Sequence, residues 1–119
     1  MDILIVDDVE TDRQLVGKVV SDAGHRPIYA TDGEEAIARA KQLRPGLILL
    51  DVVMPKLNGF NACRKLKNDA ETSNIPVVLV TSKGTDSDKF WGVKQGADAH
   101  IVKPFTPDSL LAMIRRYAG

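Results

Sequence analysis

Five consecutive residues, Leu47, Ile48, Leu49, Leu50 and Asp51, constrain this chain most: four apolar side chains in a row that stop at a carboxylate. Pro45 and Gly46 precede the run and Pro55 follows it. An apolar run this short between turn residues reads as a strand buried on both faces. In open α/β sheets ligands bind beyond the carboxyl ends of the strands, so Asp51 is expected at the mouth of a crevice.

A second run, Ile3, Leu4, Ile5 and Val6, ends in Asp7 and Asp8. Two parallel strands ending this way bring three carboxylates together, and like charges about 4 Å apart repel by roughly 4 kcal/mol per pair at an effective dielectric near 20. Something positive must sit among them. No Cys or His lies nearby in sequence, and an oxygen-only donor set suits a hard cation such as magnesium, calcium or manganese.

Between and after these strands the apolar spacing alternates. Thr11 and Gln14 have capping-box spacing ahead of Leu15, Val16, Val19, Val20 and Ala23, with Gly24 as the residue that ends the first helix. Residues 27–30 read as a second strand. Asp32 caps a helix with Glu35 three residues on and Ala36, Ile37, Ala40 and Leu43 on one face. Phe60, Cys63 and Leu66 mark a third helix, ending near residues 68–74, and residues 77–80 a fourth strand that ends at Thr81 and Ser82. A fourth helix is predicted from Asp86 or Asp88 through Trp91 to Gly96, and a fifth strand over residues 99–102 ends at Lys103 and Pro104. Thr106 caps a final helix with Pro107 at its first position. Strands alternating with helices predict a doubly wound parallel sheet with right-handed crossovers.

The 119 residues suit one domain, and 16 basic against 16 acidic residues give no electrostatic footprint for nucleic acid and no polybasic membrane anchor. One cysteine, Cys63, allows no internal disulfide; no run approaches a membrane span, and the first strand starts too early for a signal peptide. The expectation is a cytoplasmic protein.

The predicted strand ends collect Asp7 and Asp8, Asp51, Thr81 with Ser82, and Lys103 on one edge. A carboxylate can act as a nucleophile toward phosphorus. Asp51 would attack; Asp7 or Asp8, with Asp51, would hold Mg²⁺; Lys103 would pair with a phosphoryl oxygen and Thr81 would donate a hydrogen bond to it. Each residue alone has a duller reading, since a lone Asp after a strand is more often a turn former or cap. Their joint placement is what favours chemistry. For Cys63 the duller reading, a small core residue, is preferred. Trp91 divides evenly between core packing and a docking anchor.

These residues, together with Met54, Pro55, Gly59, Val80, Pro104 and Phe105, closely resemble the receiver domain of bacterial two-component response regulators. The resemblance covers the whole chain as one receiver domain, residues 1–119, with no effector domain. It implies a (βα)₅, flavodoxin-like fold with strand order 2-1-3-4-5. It also implies Asp51 as phosphoacceptor, Asp7, Asp8, Asp51 and the main-chain carbonyl of Val53 as Mg²⁺ (or Mn²⁺) ligands, and a cis Lys103–Pro104 bond. Thr81 becomes the switch hydroxyl and Lys103 the phosphoryl counter-ion. The partners implied are a histidine kinase and a downstream protein bound through the helix 4, strand 5, helix 5 surface. Where the family carries an aromatic switch ring this chain has His100, whose imidazole predicts an output that depends on pH between about 5 and 8. From Lys67 through Gly96, including Ala70, Glu71, Thr72, Ser73, Lys83, Asp88, Lys89, Trp91 and Gly92, the chain is similar to single-domain receivers of type IV pilus, or twitching motility, chemosensory systems.

The expected role is therefore a signalling phosphoacceptor rather than an enzyme acting on an external substrate. A haloacid-dehalogenase-type phosphatase is the alternative, as is a receiver serving only as a phosphate sink. The phosphatase would carry its nucleophile after the first strand and needs additional acids at a later strand end. A flavodoxin-like cofactor binder is disfavoured because acids in the first turn repel a flavin phosphate. An interaction module without phosphorylation is disfavoured because every part of an acceptor site is present.

Overall fold

The computed structural model describes residues 1–52, 58–81 and 93–118, Thr81 and Ala118 by backbone alone. Strands β1 (Asp2–Val6), β2 (Arg26–Ala30), β3 (Leu47–Asp51), β4 (Val77–Thr81) and β5 (Ala99–Val102) form one sheet. Its order is β2-β1-β3-β4-β5 and every pairing is parallel. Helices α1 (Glu10–Asp22), α2 (Gly33–Leu43), α3 (Gly59–Asn68) and α4 (Pro107–Ala118) complete the described elements. Residues 82–92, which contain most of the helix predicted between β4 and β5, lie outside the described residues.

Strand β3 is buried at all five positions, as a central strand covered on both faces must be. Its side chains alternate between two cores. Ile48 and Leu50 pack with Ala36 and Ala40 of α2 and Ala62, Cys63 and Leu66 of α3. Leu47 and Leu49 pack with Val16 and Val20 of α1 and Leu110 and Ile114 of α4. A fully buried aliphatic side chain is worth about 1.5–3 kcal/mol, so this double burial fixes the strand and with it the position of Asp51.

The helix ends show which local signals act. Asp32 Oδ1 accepts from Glu35 N at 2.9 Å and caps α2, while Glu35 Oε1 accepts from Thr31 N at 3.0 Å, one residue ahead of the cap. Thr106 and Ser109 exchange such bonds reciprocally at the start of α4. Gly24 ends α1 at φ +88°, with His25 N donating to Val20 O and Gly24 N to Ser21 O, a Schellman arrangement. The start of α1 differs from the sequence reading. The helix begins at Glu10, with Val9 as its N-cap and no side-chain cap, so Thr11 is already helical and Gln14 bonds Glu10 instead. The reason lies upstream: Asp7 Oδ1 accepts from Val9 N at 2.9 Å, and that turn sets the entry of the helix before Thr11 is reached.

Candidate functional site

Register brings the strand ends level. Val6 pairs with Leu50, so Asp7 and Asp51 follow each other across adjacent strands; Thr81 pairs with Val102, so Lys103 leaves β5 just beyond Thr81. One carboxylate oxygen from each of Asp7, Asp8 and Asp51 lies within 4.8 Å of the others. Asp7 and Asp51 are buried, at 4% and 7% exposure, while Asp8 is exposed.

Lys103 supplies the positive charge. Its Nζ donates to Asp7 Oδ2 at 2.8 Å and Asp12 Oδ2 at 3.1 Å and stands 3.5 Å from Asp51 Oδ2. Burial acts to lower the ammonium's pKa, but the hydrogen bonds it donates to Asp7 and Asp12 and the charges of Asp51 and Asp7 outweigh burial and hold it above the ordinary lysine range. The Lys103–Pro104 peptide is cis.

The backbone holds the acids in place. Asp7 N donates to Ala30 O, and Arg13 Nη1 donates to Asp7 O at 2.7 Å, tying the end of β1 to β2 and α1. Gly59 N donates to Val52 O at 2.8 Å, and a Cβ at Gly59 would run into the Asp51 carbonyl oxygen and come within 2.6 Å of Val52 Cα. Only glycine lets the first turn of α3 approach the end of β3 this closely.

Among the described residues, the one ammonium of Lys103 faces Asp7, Asp12 and Asp51, with Asp8 beside them, and two of these four carboxylates are buried. Each carboxylate oxygen has two lone pairs, so the bonds that Asp7 makes to Val9 and Lys103 leave acceptor capacity. The donors are all hard oxygens. The residues therefore fit a hard divalent cation.

The structure brings together Asp7, Asp8, Asp51 and Lys103. Thr81 is placed by its backbone in β4; its hydroxyl, the Val53 carbonyl, Ser82 and Lys83 lie outside what is described. His100 lies in β5 opposite Leu79, half-buried. Two residues escaped the sequence reading, Asp12 on Lys103 and Arg13 on the Asp7 carbonyl. The signal for Asp12 was the density of acids at 7, 8, 10 and 12, which is also what the first turn of any helix favours. Among the described residues no helix is long and apolar enough to cross a membrane.

The family model of the response regulator receiver domain matches residues 3–115. The chain is similar to protein PilH of Pseudomonas aeruginosa, 45% identical over 112 residues that cover 94% of this chain and 93% of that protein. It is also similar to RpaA of Synechocystis, a DNA-binding dual master transcriptional regulator, at 41% identity over 113 residues. That match covers 95% of this chain but 47% of RpaA, so the chain spans about half the length of that relative. Among solved structures, the chemotaxis response regulator CheY4 of Vibrio cholerae matches with a TM-score of 0.91 at 34% identity, covering 98% of this chain and 97% of CheY4.

Proposed function

Because the chain belongs to the response regulator receiver domain family, we propose that Asp51 is its phosphoacceptor and that a phosphohistidine of a histidine kinase is its donor. An Asp51 carboxylate oxygen attacks phosphorus, the phosphorus–nitrogen bond breaks as the phosphorus–oxygen bond of an acyl phosphate forms, and the freed imidazole nitrogen takes a proton. A slower attack by water on phosphorus returns the carboxylate and releases inorganic phosphate.

Asp7, Asp8 and Asp51 would hold Mg²⁺ (or Mn²⁺), joined in this reading by the Val53 carbonyl. The cation would neutralise charge on the phosphoryl oxygens and orient the group. Lys103 stands beside Asp51 and would donate to a phosphoryl oxygen, with Thr81 donating to another. The protein's contribution is positioning and electrostatics. Movement of Thr81, with His100 two residues before its partner Val102 on β5, would then change the surface formed by the helix predicted ahead of β5, β5 itself and α4, which meets a downstream protein. Likeness to PilH and to the chemotaxis regulator CheY4 supports pilus or chemotaxis-type motility signalling, carried out in the cytoplasm.

One observation carries this reading: an ammonium within 2.8–3.5 Å of two buried carboxylates at adjacent strand ends, with a third acid beside them. The test is intact-mass spectrometry after incubation with Mg²⁺ and acetyl phosphate. One phosphoryl group should be gained, and none in Asp51→Ala or in excess EDTA. Equal gain in Asp51→Ala would refute the reading, and steady turnover of an external phosphomonoester would favour the phosphatase.

A further inference from the structure

Lys103 has three N–H donors and a carboxylate partner that the phosphoacceptor chemistry does not require. Asp12, on the first turn of α1, accepts from Lys103 Nζ at 3.1 Å. Yet it lies outside the group of Asp7, Asp8 and Asp51 whose oxygens lie within 4.8 Å of one another. The two carboxylates that accept hydrogen bonds from Lys103 among the described residues therefore differ in kind. Asp7 is buried and belongs to the cation-fitting cluster; Asp12 is half-exposed, lines a groove of about 380 Å³ with Leu15, Val16, Lys103, Pro104 and Phe105, and joins no metal-fitting cluster among the described residues.

We propose that Asp12 is a positioning residue that restrains Lys103: it holds the ammonium toward α1, and the phosphoryl group must draw Lys103 away from it. This rests on the phosphoacceptor reading above. When a divalent cation takes up the charge of Asp7, like-charge repulsion weakens the bond from Lys103 to Asp7. The Asp12 bond does not weaken in step, so it becomes the main tether. Donation to a phosphoryl oxygen on Asp51 then requires loosening that tether. Asp12 therefore slows phosphorylation through Lys103, without touching phosphorus or the cation.

The ion pair is half-exposed, which limits its strength. Its removal should speed phosphorylation by about threefold to fivefold. The experiment measures the rate of phosphoryl uptake from acetyl phosphate at saturating Mg²⁺ for wild type, Asp12→Asn, Lys103→Met and the double variant, with Asp12→Glu as the conservative control. Expected are acceleration in Asp12→Asn, a return toward the wild-type rate in Asp12→Glu, and no effect of Asp12→Asn once Lys103 is Met. In parallel, the ¹³Cε order parameter of Lys103 should fall in Asp12→Asn, a change that simple loss of negative charge near the donor would not produce.

An unchanged or lower rate in Asp12→Asn overturns the inference. So does acceleration that persists without Lys103, since the charge of Asp12 would then act directly on the anionic donor. Wild-type protein that takes up no phosphoryl group sinks the phosphoacceptor reading and this inference together. Wild-type uptake without the Asp12 effect sinks the inference alone.

Discussion

Lys103 keeps its charge because the carboxylates around it outweigh its burial. Its folded pKa is raised, so the stabilisation from its pairing is fully present below the unfolded value and is lost only as pH rises through the folded one. Between about pH 5 and 9 this group should therefore contribute no slope to stability. Gly59 governs the placement of Asp51 from the other side. A Cβ there meets the backbone of Asp51 and Val52, which cannot rotate away as a side chain can. Gly59→Ala should cost about 1–3 kcal/mol in urea denaturation and should slow phosphoryl uptake by displacing Asp51. Cys63 shows the opposite case, a thiol that burial keeps protonated, with its Sγ toward Gln95 O at 3.6 Å. It is fully buried in the core between α2, α3 and the sheet, and burial pushes its thiol up to about 11. Native protein at pH 8 should thus be almost inert to thiol reagents and react at once in denaturant. Fast native labelling would show that this core opens.

Elements are set by caps as well as by apolar spacing, and two equally spaced cap candidates behave differently here. Asp32 caps α2 as its spacing predicts, and Glu35 reaches back to Thr31 N, one residue ahead of the cap. Thr11 and Gln14 have equally good spacing and form no cap, because the Asp7 carboxylate three-dimensionally preempts them by seating Val9. A local motif cannot reveal that the Asp7 carboxylate one turn earlier has already fixed the chain. The consequence is a contrast in thermal or urea unfolding. Asp32→Ala should lose about 1 kcal/mol, whereas the exposed Thr11→Ala should stay within about 0.5 kcal/mol of wild type.

At the scale of the molecule, the convergence of Asp7, Asp51 and Lys103 was legible because each follows a predicted strand, Asp7 and Asp51 after runs that are buried, and parallel register carries such ends to one edge; the strand order was implied only by the resemblance to receiver domains. Asp12 and Arg13 were not legible, since their reach to Lys103 and to the Asp7 carbonyl depends on how α1 packs across the sheet. In the proposed reading the fold positions one acid among several, Asp51, to take the phosphoryl group. Borohydride reduction after reaction with acetyl phosphate tests that choice most directly, because hydride converts an aspartyl phosphate to homoserine, which peptide mass mapping locates. The label should fall at residue 51 alone. Label at Asp7, Asp8 or Asp12, or none in protein that has gained a phosphoryl group, would contradict the account.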